Sequence, residues 1–298
     1  MFEQVEFPSE GAVLRGRFYG QPAGRAPAIA MAHGTSATIS MVADAYAEAF
    51  WRAGFSVLLY DHRNFGASGG EPRGEINPWV QGRGYRDAVA YLRARPDTGQ
   101  VALWGDSYSA MEVLVVGALV EGVAAIVAQI PVCGIELPGQ EPSEEALRVL
   151  RSIFAGGDVS GGPVHTTGPM PVVSSDQINA PSLLKPIQAY RWFVEYGGRF
   201  GSGWMNCATR VIPPTLVPFH PYLTAPFLTM PCLMMIGRDD EMVHCNASVQ
   251  RAVFEKIAGP KMFYEVDGGH FGLLWHPGPL FDQAAKCQVD FLKKALRV

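Results

Sequence analysis

Ser107 stands at the centre of Gly105-Asp106-Ser107-Tyr108-Ser109, after the apolar run Val101-Ala102-Leu103-Trp104 and before a helix-like segment at 110–119. A buried strand, a sharp turn and a helix, with Ser at the apex, make up a nucleophile elbow. The turn strains the apex backbone, so the residues two before and two after it must be small. Gly105 and Ser109 meet that need, Ser109 departing mildly from the usual glycine. The elbow lifts the hydroxyl clear of the sheet and sets it at a helix N-terminus, where free N–H groups and the helix dipole favour developing negative charge. A Ser that merely N-caps a helix would present the same five residues, so the rest of the chain decides between the two.

A Ser nucleophile needs a base to take its proton and an acid to orient that base. On parallel sheets these follow in the order Ser, Asp or Glu, His, each on a loop after a strand. The chain offers that order. The run Cys232-Leu233-Met234-Met235-Ile236 leads into Gly237-Arg238-Asp239-Asp240-Glu241-Met242-Val243, and a strand at 261–266 leads into Asp267-Gly268-Gly269-His270-Phe271. Asp240 is the expected acid, in a Gly-x-x-Asp-x-x-Val loop, with Asp239 as the alternative; His270 is the expected base. Glu241 and Asp267 are expected to solvate or brace these loops. Acyl chemistry also needs donors for an oxyanion. His33-Gly34-Thr35-Ser36 follows an apolar strand, and the backbone N–H groups of Thr35 and Tyr108 are the expected pair, with Ser36 replacing Thr35 if the loop is shifted by one. His33 is expected to brace this loop. His62, His165, His220, His244 and His276 are expected to be structural or on the surface, and Asp106 to turn away from the substrate.

These residues must be carried by a sheet. A hairpin at 4–8 and 12–19 opens the chain, followed by apolar strands at 28–32, 56–60, 101–104, 123–128, 232–236 and 261–266. Helices are expected at 41–53, 85–92, 110–119, 247–257 and 280–296, the second marked by Tyr85, Ala88, Val89 and Leu92 at helical spacing. Apolar strands alternating with helices predict an α/β fold with a mostly parallel sheet covered on both faces. The alternation stops near Pro131 and resumes at Cys232. Residues 1–130 and 230–298 are therefore read as the core, and 131–229 as an inserted, mainly helical cap without a convincing strand. Leu147, Leu150 and Phe154 predict one cap helix, and Trp192, Phe193, Tyr196 and Phe200 the apolar face of another.

The 298 residues, 48% hydrophobic and 17% charged, suit one well-filled globule with an insert. A net charge of -4 and no basic cluster argue against nucleic acid as partner. No signal-peptide pattern opens the chain and no apolar run reaches membrane-span length, so a membrane is not an expected partner. Cys133, Cys207, Cys232, Cys245 and Cys287 are odd in number and lack metal-ligand spacing, which predicts free thiols in the cytoplasm.

Taken together, His33-Gly34, the stretch Asp61-His62-Arg63-Asn64-Phe65-Gly66-Ala67-Ser68, the Ser107 pentapeptide, the Asp240 loop and Gly268-Gly269-His270-Phe271 resemble an α/β-hydrolase fold enzyme. The stretch 60–73, with Asn77-Pro78-Trp79, resembles the dienelactone-hydrolase-like and Xaa-Pro-peptidase-like branch, whose look fungal polyketide transferases and thiohydrolases share. The resemblance implies Ser107 as nucleophile, Asp240 as acid and His270 as base, with no metal and no organic cofactor. It leads to a serine esterase acting on a small-molecule ester or thioester with a small to medium apolar acyl group. An acyltransferase or thioesterase using the same triad is the alternative, and a silent ligand-binding protein on this scaffold a third reading. The oligomeric state stays open, a homodimer included.

Overall fold

The computed structural model describes residues 2–298. In chain order the elements are β1 (Glu3–Ser9), β2 (Ala12–Tyr19), β3 (Ala26–Ala32), α1 (Ala43–Arg52), β4 (Ser56–Tyr60), β5 (Glu75–Ile76), α2 (Pro78–Ala94), β6 (Thr98–Asp106), α3 (Tyr108–Leu119) and β7 (Val123–Gln129). There follow α4 (Glu144–Gly156), β8 (Thr166–Met170), α5 (Ile187–Gly197), β9 (Ala208–Val211), α6 (Pro221–Thr224), β10 (Cys232–Gly237), α7 (Ala247–Lys256), β11 (Lys261–Val266) and α8 (Pro279–Leu296).

Eight strands form the main sheet in the order β1-β2-β4-β3-β6-β7-β10-β11. β2 runs antiparallel to both its neighbours, and every pairing from β4 onward is parallel. The fold is thus the α/β-hydrolase fold expected. Strands β3, β4 and β10 read as continuous apolar runs because helices cover both faces. One core packs α2, α3, α4 and α7 on the first face; the other packs α1, α5 and α8 on the second.

The strand order places the site. From β3 the chain steps outward to β4, then returns past β3 to add β6 on its other side. The loops after β3 and β6 therefore diverge from adjacent strand ends and leave a crevice at the carboxyl edge, where open α/β sheets bind ligands. Tyr85 of α2 stitches these two strands: its hydroxyl accepts from Ala32 N at 3.1 Å and donates to the Trp104 carbonyl at 2.8 Å.

Residues 131–229 depart from the sequence reading in two respects. They contain strands: β8 pairs antiparallel with β9, and β9 pairs parallel with β5, giving a second, three-stranded sheet. The aromatic stripe is also one residue shorter. Trp192, Phe193 and Tyr196 are buried, but α5 ends at Gly197 and Phe200 lies fully exposed. The insert is fastened to the loops of the main sheet. Thr38 Oγ1 donates to the Ser202 carbonyl at 2.6 Å, and Trp192 Nε1 donates to the Leu274 carbonyl at 2.7 Å.

Candidate active site

Ser107 adopts φ 55° and ψ -114°, a conformation an L-residue holds only under constraint from its surroundings. Its N–H donates to the Gln129 carbonyl at 2.8 Å and its carbonyl accepts from Val132 N at 3.1 Å, so the end of β7 and the loop after it hold the turn. Gly105 is required for space, since a Cβ there would lie 2.3 Å from the Ser109 carbonyl oxygen. The Ser107 side chain makes no capping bond to the helix it precedes. Its Oγ instead lies 3.0 Å from His270 Nε2.

The far side of that ring meets the acid. His270 Nδ1 is 2.9 Å from Asp240 Oδ2, with the two side chains 2% and 4% exposed. The carboxylate fixes the proton on Nδ1, which leaves Nε2 free to accept from Ser107. Asp239 stands outside this chain of bonds: its backbone N–H donates to the Gly268 carbonyl and the residue is exposed. Glu241 braces, as expected, by accepting from His270 N at 2.7 Å. The glycine before the histidine leaves room for this contact, because a Cβ on Gly269 would meet Glu241 Oε2 at 2.3 Å and displace the carboxylate. Cys245 Sγ lies 3.6 Å from His270 Nδ1. Burial first, and then Asp240, push that thiol well above its ordinary range, so it stays protonated beside the pair.

The loop after β3 closes over the elbow. A Cβ on Gly34 would lie 2.9 Å from Asp106 Oδ2 and 3.0 Å from Ser107 Cβ, tighter than ordinary contact, so glycine eases this approach. The Thr35 and Tyr108 N–H groups make no hydrogen bond among the described residues, and both residues line the cavity above Ser107. Ser36 lies outside that lining; its backbone has φ 60° and its hydroxyl is buried without a partner. His33 braces the loop, with Nδ1 bonded to the Gly34 carbonyl at 2.9 Å and Nε2 accepting from His62 N at 3.2 Å. Burial holds His33 below the usual imidazole range despite Asp61 nearby, so the ring is neutral.

Beneath the elbow lies a polar cluster that the sequence did not announce. Ser109 Oγ donates to the His33 carbonyl and lies 2.9 Å from His62 Nε2. Glu112 Oε2, fully buried, is 3.2 Å from Ser109 Oγ and 3.3 Å from His62 Nε2. Burial raises the Glu112 carboxyl well above its ordinary range and lowers the His62 ring well below its own, so burial disfavours the charged form of each. Asp106 tucks its carboxyl under the Gly34 loop. Burial pushes it up to about 7, against the pull of His270 and the Gly34 N–H, and Oδ1 has no partner.

Ser107 and His270 open into a cavity of about 350 Å³, within the range of small-molecule sites. Its wall is largely apolar, with Ile76, Trp79, Met111, Leu184, Trp192 and Phe219 among the lining residues. The insert supplies much of this wall. It also supplies two polar residues that sequence reasoning missed, Arg210 and His220; His244, after β10, is a third. Their direction depends on how the insert folds over the sheet, which no spacing in the sequence encodes.

The alpha/beta hydrolase family profile matches residues 29–283. The chain belongs to that family. Among its relatives, a thiohydrolase of Aspergillus aculeatus is 32% identical over 309 aligned residues, covering 99% of this chain and 94% of its own length. A polyketide transferase of Aspergillus fumigatus is 27% identical over 300 residues, covering 99% of this chain and 98% of its own. The crystal structure of an alpha/beta hydrolase from a Penicillium species matches with a TM-score of 0.72 at 23% identity, over 100% of both chains. At that identity the likeness establishes the shared fold. This family member carries no helix among its described residues that is long and apolar enough to cross a membrane.

Proposed function

We propose that this chain is a serine acyl hydrolase that cleaves thioesters or carboxylic esters of apolar acyl groups through an acyl-enzyme on Ser107. The observation that carries this reading is the continuous contact from Ser107 Oγ to His270 Nε2, 3.0 Å, and from Nδ1 to Asp240, 2.9 Å, with Ser107 and His270 lining a largely apolar cavity. In this mechanism His270 takes the Ser107 proton as Oγ attacks the carbonyl. Asp240 orients the ring and stabilises its charged form. The N–H groups of Thr35 and Tyr108 receive the oxyanion, each worth about 3–4 kcal/mol in barrier height. The leaving thiol or alcohol takes the proton from His270. Water, deprotonated by the same ring, then releases the acid. Residues 131–229 serve as the cap that roofs the acyl group.

The relative named a thiohydrolase favours a thioester as the substrate, and an unconfined carboxylic ester remains the broader reading. Hydrolysis of medium-chain acyl thioesters and p-nitrophenyl esters is to be measured for the wild type and for Ser107→Ala. The variant is expected to lose at least about 10³-fold in kcat. Equal rates, or failure of a fluorophosphonate to label Ser107 in the wild type, would leave a ligand-binding protein instead. Transfer to an acceptor alcohol is the second reading, favoured by the relative named a polyketide transferase and by the apolar wall. A competing alcohol that appears as ester product in preference to free acid would establish it.

A further inference from the structure

Arg210 presents an unanswered charge. It lies in β9, opposite Ile76 of β5 and Thr167 of β8, and lines the cavity above Ser107. Its guanidinium makes no hydrogen bond and no ion pair among the described residues. Every other arginine not fully exposed does: Arg15, Arg17, Arg83, Arg86 and Arg95 reach carboxylates, and Arg63 and Arg73 reach amide or carbonyl oxygens. The unpaired Arg25, Arg191 and Arg297 are exposed to water.

No acid among the described residues pairs with it. Asp106 is the one acid in the cavity lining, and its carboxyl is turned under the Gly34 loop. Glu75, beside Ile76, feels Arg63 instead. His244 and His220 line the same wall, but an imidazole is neutral or cationic and offers no negative charge; burial, with Arg210 for His244, disfavours even their cations. A half-buried guanidinium in an apolar wall carries a desolvation cost that a bound anion offsets, and its planar fork suits a carboxylate or a phosphate.

We propose that Arg210 anchors an anionic group of the substrate, so that the preferred acyl donor carries a carboxylate or a phosphate besides the reacting carbonyl. This rests on the acyl-hydrolase reading above for its substrate, but the anchor is separable from catalysis. The anion has two sources. A carboxylate would sit on the acyl chain, and a phosphate on the leaving thiol.

The test compares matched thioesters. Suberic acid half-thioester of N-acetylcysteamine is set against its methyl ester, and octanoyl-coenzyme A against octanoyl-N-acetylcysteamine. The wild type is expected to favour one anionic member by roughly 10- to 100-fold in kcat/KM, the factor a charge-assisted contact supplies. The preference should reside mainly in KM, fall to near unity in Arg210→Gln, and survive in large part in Arg210→Lys. Which pair shows it identifies the source. No preference in either pair, or a preference that persists in Arg210→Gln, overturns the proposal.

Binding keeps the two readings apart. Calorimetry on Ser107→Ala protein with suberate, octanoate and coenzyme A requires no turnover. If no thioester is cleaved, yet suberate or coenzyme A binds and the added Arg210→Gln change abolishes it, the anchor stands and the hydrolase reading falls. If the thioesters are cleaved and neither anion binds through Arg210, the reverse holds.

Discussion

Ser109 fills the second small position of the elbow, and its hydroxyl makes use of the place. It donates to the His33 carbonyl and meets the His62 ring at 2.9 Å, tying α3 to the loop that approaches Ser107. Removing that hydroxyl leaves a buried carbonyl and a buried ring nitrogen with poorer partners, at about 1–3 kcal/mol for each unsatisfied group. Ser109→Ala is therefore expected to lose about 2 kcal/mol or more in urea unfolding, and an unchanged midpoint would show the cluster to be neutral. Asp240 offers a second test. Asp240→Asn favours the wrong tautomer of His270 and should lower kcat by about 10³–10⁴-fold, whereas Asp239→Asn should stay within about twofold. Comparable losses in the two would return the assignment to the pair. At this scale the sequence was informative wherever chain order and a local pattern constrained a residue. Ser107, His270 and Asp240 sit on loops after strands, and their meeting follows from the parallel sheet. Glu112 and Arg210 carry no such signal, because their partners, or lack of them, arise only when distant segments pack.

The loop after β3 shows what an element contributes beyond its residues. Its position follows from the reversal of strand order between β3 and β6, which sets the two loops side by side. Gly34 then lets the backbones close to contact. Gly34→Ala adds a methyl 2.9 Å from Asp106 Oδ2 and 3.0 Å from both the Asp106 carbonyl oxygen and Ser107 Cβ, and the loop is expected to retreat to relieve these contacts. Thr35 N–H retreats with it. If Thr35 N–H is the oxyanion donor proposed above, the expected result is a kcat lower by roughly 10²-fold, with KM changed little; a steady-state comparison on one thioester measures both. Alternation of apolar strands and helices made the main sheet legible, down to β11 at Lys261–Val266. The small sheet was hidden for local reasons. β8 contains Gly168-Pro169, which reads as a turn, and β5 has two residues, too few for a period. Likewise Gly197-Gly198 stop α5 before Phe200, although its spacing continues the stripe.

Across the whole molecule, the buried acids link stability to pH in a direction opposite to the usual one. Asp106 moves from an ordinary value of 3.8 to about 7 in the folded chain. Between these values the folded state holds a proton that the unfolded state has released, so stability falls as pH rises. The contribution is complete below about pH 4 and lost by about pH 7, an order of roughly 4 kcal/mol at most. Glu112, raised further by burial, extends the same trend upward, whereas a partly buried, paired acid such as Asp97 is lowered and acts in the opposite sense at lower pH. The total curve mixes these terms, and a difference between variants isolates one. Asp106→Asn keeps the shape and an oxygen to accept from Gly34 N while removing the titration. Its unfolding free energy, less that of the wild type, should climb by a few kcal/mol as pH rises from 4 to 7 and then level off. Urea melts at half-unit pH steps measure this difference. A flat line would mean that Asp106 stays ionised in the fold, and that a negative charge lies permanently beneath the loop proposed to receive the oxyanion.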